Sequence, residues 1–373
     1  MIVALSFVNG FQDAVSQKVF SFWGHIRVQH FELGKALVAE ESPISRNDTV
    51  ENELKRHPSI THVQVFATKS AVLEKDKEIE GVLCKGVDNH FDSTQIKPFI
   101  KRGRWLCFND SLYNKEVIVS EQVANQLKLQ LNDTARLYFI SANEGTGTYR
   151  KLKVVGIYKT GIEEYDKLFV LTDIRLIRRI NNWQPNEIGG YEVFLDDYKK
   201  MDTLSNTLDS NLPTVWTSKT VREVYPNIFD WLEALNVNRN VVIVVMSIVA
   251  IINLITCLLI LVLERTKMIG VLKSIGASNG LIRKIFIYHA TLISLKGVGL
   301  GCIIGVGICL LQQYTGIITF DEANYYVSTA PVHLIWWQVI LICTASILVC
   351  FLSLLIPTLI VKRITPVKAI QFS

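Results

Sequence analysis

Residues 241–263 form an apolar run broken by little more than Asn253 and Thr256. At about 1.5 Å of rise per residue, such a run crosses a hydrocarbon layer of roughly 30 Å as a single helix. Backbone amides inside lipid find no water to bond, which leaves few alternatives to that helix. A second apolar run occupies 285–311, and a third occupies 336–361 with Trp336 and Trp337 at its start. The interval 264–284 carries Arg265, Lys267, Lys273, Arg283 and Lys284 against the single acid Glu264. The interval 312–335 holds Asp321 and Glu322 and neither Lys nor Arg. Positive charge gathers on the cytoplasmic side of membranes. The interval 264–284 and the tail 362–373, with Lys362, Arg363 and Lys368, are therefore expected inside, and 312–335 outside.

The basic interval is itself patterned. Met268, Val271, Leu272 and Ile275, then Leu281, Ile285 and Phe286, recur at helical spacing, while Gly276, Asn279 and Gly280 interrupt them. This predicts a short basic helix, a turn, and a second helix running into the next apolar run. Such a helix is either a docking element for a partner or a membrane-surface helix, and the pattern leaves both readings open. Gly297, Gly301 and Gly305 follow at four-residue spacing, a pattern for close helix packing in membranes. Lys296 beside them either snorkels to the interface or faces a cavity.

Hydrophobic residues make up 49% of the chain and charged residues 20%, too many charges for a chain wholly in the membrane. The polar share concentrates in 24–225. Strand patterns stand at 25–29, 61–66, 116–119, 136–140, 152–158 and 167–171. Ser120 is placed to cap a helix at 121–127, and Asp173 one at 174–180. Turn residues 143–147 join two strands, so 136–158 reads as a β-hairpin. Thr220 and Glu223 form a capping box, and Pro226 suits the first turn of a helical stalk leading into 241–263. The stretch is long enough for a core of its own, an α+β domain in two lobes with the middle lobe at about 100–185. At the start, 1–8 is apolar but too short to cross a bilayer. Phe11, Val15, Val19 and Phe22 continue it as a helix through 1–23.

Several functions find no support. The net charge of +5 is modest and its cations follow the membrane rule, so no nucleic-acid partner is inferred. Of seven cysteines, Cys257, Cys302, Cys309, Cys343 and Cys350 lie in apolar runs, and no C-x-x-C occurs. Cys84 and Cys107 lie in the soluble stretch as one disulfide or two thiols. There is no G-x-x-x-x-G-K-[ST] loop, no H-E-x-x-H and no G-x-S-x-G. The chain is expected to be non-catalytic, with no cofactor or metal of its own. His25, His30, His57, His62 and His90 lack ligand spacing, and Glu163-Glu164-Tyr165-Asp166 reads as a solvated loop.

The wording "ERTKMIGVLKSIGAS…IRKIF" within 264–290 resembles the cytoplasmic coupling region of FtsX-like ABC-transporter permeases, most of all the lipoprotein-releasing, Lol-type branch. "VVGIYKTGIEEYDKLFVLTD" resembles that branch's periplasmic domain, and "ITPVKAIQ" its tail. The resemblance implies a MacB-like, two-lobe α+β periplasmic domain on helical membrane spans in a bacterial inner membrane. It implies a full first span, of which "MIVALSFVNGFQ" is the outer half, so that the chain as given starts inside it. Three further spans follow, in 226–263 together with the stalk, 285–311 and 336–361. It also implies an ABC ATPase subunit, carrying ATP and Mg, that contacts 264–284 at Lys267, Gly270, Val271, Ser274, Ile275, Gly276 and Ala277. Further implied partners are a second permease subunit, the same or related, membrane lipids, lipoproteins as substrate and a periplasmic lipoprotein carrier. The carrier would meet the hairpin tip 141–150 through Asn143, Glu144 and Arg150, unless that tip is a plain turn. The implied function is lipoprotein extraction from the inner membrane. Alternatives within the superfamily are a cell-division-type signalling permease controlling a cell-wall hydrolase, and an efflux-pump permease.

Overall fold

Phe11, Val15, Val19 and Phe22 recur every three or four residues, and all four are buried along one continuous helix, α1 (Ile2–Trp23). The computed structural model describes residues 1–32, 42–108, 113–139 and 148–360. Two compact units emerge. One, α+β, comprises Ala14–Phe229 and Asp321–Ser328; the other, helical, comprises Met1–Asp13, Asp230–Phe320 and Thr329–Ser373.

In the α+β unit, α1 is followed by β1 (Ile26–His30), β2 (Ile44–Ser45), α2 (Asp48–Arg56), β3 (Ile60–Lys75) and β4 (Glu78–Val87). The middle stretch holds β5 (Ile100–Gly103), β6 (Glu116–Ser120), α3 (Glu121–Gln126), β7 (Thr134–Phe139) and β8 (Thr148–Tyr158). It continues with α4 (Glu163–Leu168), β9 (Phe169–Asp173) and α5 (Ile174–Ile180). The chain then returns through β10 (Glu187–Ile188), β11 (Gly190–Leu195), α6 (Met201–Asn211), β12 (Trp216–Thr220) and α7 (Val221–Val224).

The strand order is β12-β1-β11-β3-β4-β9-β6-β8-β5, with β7 pairing β3 and β8. β3 serves two sets of strands. Its first part lies antiparallel to β11, from Ile60↔Leu195 to Phe66↔Gly190. From Ala67↔Gly86 onward it pairs β4 instead. The strand pattern at 61–66 ends before the strand does, because residues 64–69 are buried without alternation. Burial on both faces removes the two-residue period that marks a strand in sequence. β9 is likewise buried along its length, parallel to β4 and antiparallel to β6.

The caps form at the expected residues. Ser120 Oγ accepts from the Val123 amide at 3.0 Å, and Asp173 Oδ1 from Arg175 at 2.9 Å. Thr220 Oγ1 accepts from Glu223 at 3.2 Å. Each satisfies a backbone donor that a helix start leaves open.

The helical unit holds α8 (Pro226–Glu264) from Asp230 onward, α9 (Thr266–Ser274), α10 (Asn279–Thr315) and α12 (Trp336–Ile360), while α11 (Glu322–Tyr325) belongs to the α+β unit. Two described helices, Pro226–Cys257 and Gly280–Thr315, are long and apolar enough to cross a membrane; Trp336–Leu352 is a shorter apolar helix. With 39 residues α8 is about 58 Å long, more than a hydrocarbon core of roughly 30 Å requires. Ile2, Cys309 and Val339 are buried together. Gly316, at φ 60°, ends α10 in the left-handed conformation that glycine adopts at no steric cost. The Gln312 amide then ties the following turn, donating to Ile318 O at 3.1 Å and Ala330 O at 3.2 Å. The tail expected at 362–373 lies outside the described residues.

Candidate functional site

The α9 segment is built as an exposed helix on a defined hinge. Ile269 is fully buried and Gly270 is buried beside it, where α9 packs back on α10. The opposite side is open: Val271 is 53% exposed and Ile275 79%, with Met268, Lys267, Ser274 and Gly276 also exposed. Ala277 is half-buried. Of the seven residues that the resemblance places at a partner, Gly270 therefore packs inward and five face outward.

The helix ends in a Schellman arrangement. Ala277 N donates to Leu272 O at 2.9 Å and Gly276 N to Lys273 O at 3.1 Å. Gly276 sits at φ +93° with nothing within 4 Å of where a Cβ would point. The backbone, not crowding, requires glycine there. Ser278 then caps α10, its Oγ accepting from Leu281 N at 3.3 Å. Cap and counter-cap adjoin, so the chain reverses within a few residues and holds the apolar side of α9 out.

The glycine series divides. At Gly297 and Gly301 an added Cβ would meet nothing within 4 Å, whereas at Gly305 it would meet Ile2 at 3.5 Å. Lys296 is exposed on the same helix.

On the hairpin, Asn143 and Glu144 lie outside the described residues. Arg150 stands on β8 opposite Leu137, its Nη1 donating to Tyr149 O at 3.0 Å. Tyr149 faces Tyr138 across the ladder, ring centroids 5.5 Å apart. Among the described residues no three His, Cys, Asp or Glu side chains gather as metal ligands. Cys84 is buried and Cys107 exposed, both as free thiols. Burial pulls the His25 imidazole down to about 4.

The acidic run 163–166 is not a solvated loop. It forms α4, with Tyr165 and Asp166 buried. Asp166 accepts from Thr160 N at 3.0 Å, Thr160 Oγ1 at 2.8 Å and Gly161 N at 2.9 Å. Burial nevertheless raises its carboxyl above the usual range. Tyr165 stacks on Phe22 at 4.9 Å. The sequence signal was Ile162 and Tyr165 three apart, one turn of apolar side chain inside an acidic word.

Sequence reasoning missed two charge clusters. Lys85 and Glu192 pair at 2.6 Å, both fully buried, with Gln64 donating to Glu192 at 2.8 Å. Their mark in the sequence is an ionisable residue inside an otherwise apolar strand, "VLCKGV" and "GYEVFL". The other gathers Lys18, Lys159 and Glu322, far apart in the chain and without local signature.

Comparison with known proteins bears on both units. A model of the FtsX-like permease C-terminal region matches residues 240–366, and one of the MacB-like periplasmic core domain matches 1–210. The chain is 22% identical to the lipoprotein-releasing system transmembrane protein LolE of Haemophilus influenzae, over 100% of this chain and 90% of that protein. It is 25% identical to LolC of the same organism, with the same coverage. The crystal structure of the periplasmic region of MacB from Actinobacillus actinomycetemcomitans aligns at 16% identity and a TM-score of 0.37, over 54% of this chain and 91% of that one.

Proposed function

The chain belongs to the FtsX-like permeases with a MacB-like periplasmic core domain, and as such an ABC-transporter permease subunit, we propose, it extracts lipoproteins from the bacterial inner membrane. The observation that carries this reading is end-to-end similarity to two permeases named for lipoprotein release. The exposed apolar side of α9 supports the rest, since a short helix with Val271 and Ile275 uncovered invites a partner. In this reading a separate ATPase subunit, holding ATP and Mg, docks on α9. Its closure moves α9, and α8 and α10 carry that movement outward as levers. A second permease subunit completes the membrane part, and a periplasmic carrier receives the lipoprotein, with Arg150 and the hairpin tip as its contact. This chain supplies no catalytic group.

The deciding experiment is purification of the full-length tagged chain from membranes in mild detergent. An ABC ATPase and lipid-modified proteins are expected to co-purify, and ATP with purified carrier to release the lipid-modified proteins. Recovery of a cell-wall hydrolase, or of no lipid-modified protein, would overturn the lipoprotein reading.

Orientation is tested separately. In this reading the α9 turn is cytoplasmic, supported by Arg265, Lys267, Lys273, Arg283 and Lys284. In a chain whose native cysteines, exposed Cys107 among them, are replaced by serine, a cysteine at exposed Ser278 is expected to resist a membrane-impermeant maleimide in intact spheroplasts and to react after lysis. Labelling before lysis refutes that placement.

A further inference from the structure

Glu322 lies between α10 and α12 in sequence, yet Asp321–Ser328 belongs to the α+β unit. Its carboxylate enters a socket made by two lysines. Lys159 Nζ stands 3.0 Å from Oε2, and Lys18 Nζ, on α1, 3.4 Å from Oε1. Lys18 also donates to Tyr326 O at 2.6 Å, so one ammonium holds the segment at two points. Tyr326 itself sits at φ 60°, a conformation that costs a bulky residue free energy and persists where its surroundings enforce it. Gly161 completes the socket: a Cβ there would fall 2.7 Å from Glu322 Oε1, and its φ of +77° disfavours any other residue. Glu121 stands 3.7 Å from Lys159, and Asp166 and Lys101 also act on Lys18. Burial works to raise the Glu322 carboxyl, but Lys159 and Lys18 outweigh it and hold it below the usual range.

We propose that Glu322 is the bolt of an electrostatic latch: seated between Lys18 and Lys159 against Gly161, it holds residues 321–328 in place within the α+β unit. The latch fixes 321–328 on Lys18 and Lys159, and it opens when the charge is removed or screened. Its side chains are partly exposed, 16% at Lys18, 22% at Glu322 and 37% at Lys159, which suits a contact that opens without unfolding a core. The latch is independent of the lipoprotein reading and is measurable without ATP, ATPase or carrier.

Amide hydrogen exchange of the full-length chain in lipid nanodiscs tests it, read on peptides covering 321–328. Glu322→Gln is expected to speed exchange there on the order of tenfold, with β9 and β11 unchanged. Glu322→Lys is expected to do more, and adding Lys18→Glu and Lys159→Glu to Glu322→Lys to slow exchange again. High salt should speed exchange in the wild type and leave Glu322→Gln little changed. Exchange in Glu322→Gln and Glu322→Lys equal to wild type overturns the latch, and so does failure of the triple swap to restore protection while β9 and β11 stay protected.

Discussion

Glu192→Ala is expected to cost the α+β unit about 3–5 kcal/mol, the usual penalty for breaking a buried ion pair from one side. Lys85 and Glu192 are both fully buried, 2.6 Å apart. Lys85 also donates to Phe22 O near the end of α1, where the partial negative charge of a helix C-terminus favours an ammonium. It stands 4.3 Å from the centre of the Trp23 ring, and the Arg27 guanidinium lies at the same distance. Arg27, Glu192 and Gln64 are register neighbours across β1, β11 and β3. Gln64 Oε1 then accepts from Asp92 N at 3.1 Å. Removing the Glu192 carboxylate takes that counter-charge from the buried Lys85 ammonium and the acceptor from Gln64. Lys85→Met should cost a comparable amount, whereas Lys85→Met with Glu192→Met should cost far less than the two singles added. Thermal unfolding of the detergent-purified full chain reads this. At roughly 2–4 °C per kcal/mol, the Glu192→Ala midpoint should fall by roughly 6–20 °C. A fall under about 2 °C, or additive behaviour in the double variant, would show that the pair does not hold the end of α1 to the sheet.

What was legible in the sequence and what was not follows from the range of each interaction. Ser120, Asp173 and Thr220 cap helices through hydrogen bonds two or three residues long, so their spacing carries the whole signal. The α1 stripe and the α9 pattern are also local. β3 was only half legible, because its two parts pair different strands and its buried middle shows no alternation. The run at 163–166 misled for a related reason. Acidic residues usually mean solvent, but the amides of Thr160 and Gly161 needed an acceptor, and Asp166 supplies it from inside. The Lys85–Glu192 and Lys18–Glu322 contacts join residues brought together only by the tertiary fold. The exposed side of α9 was readable as a pattern, but that Gly270 turns inward while Ile275 turns outward required the packing of α9 on α10.

Val271→Asp with Ile275→Asp is expected to remove ATPase binding from the purified complex while leaving the chain folded. The two effects separate because of where these side chains stand. Val271 is 53% exposed and Ile275 79%, so in the chain alone the new carboxylates remain in water and cost little. Covered by a partner without a counter-charge, each would be a buried unpaired ion, costing several kcal/mol. About 4 kcal/mol already weakens association roughly a thousandfold. Lys267→Glu should act differently. It lies exposed at the start of α9, so its loss is expected to slow association and be partly masked at high salt. Ile269→Asp is the control for folding, since Ile269 is fully buried where α9 meets α10 and a carboxylate there should dislodge the helix itself. Co-purification and ATPase rate in nanodiscs distinguish these cases. If the Val271→Asp, Ile275→Asp chain still binds and stimulates the ATPase as the wild type does, α9 does not dock the partner. Its apolar side would then belong to the membrane surface, where the same two substitutions should instead weaken its partition into the interface.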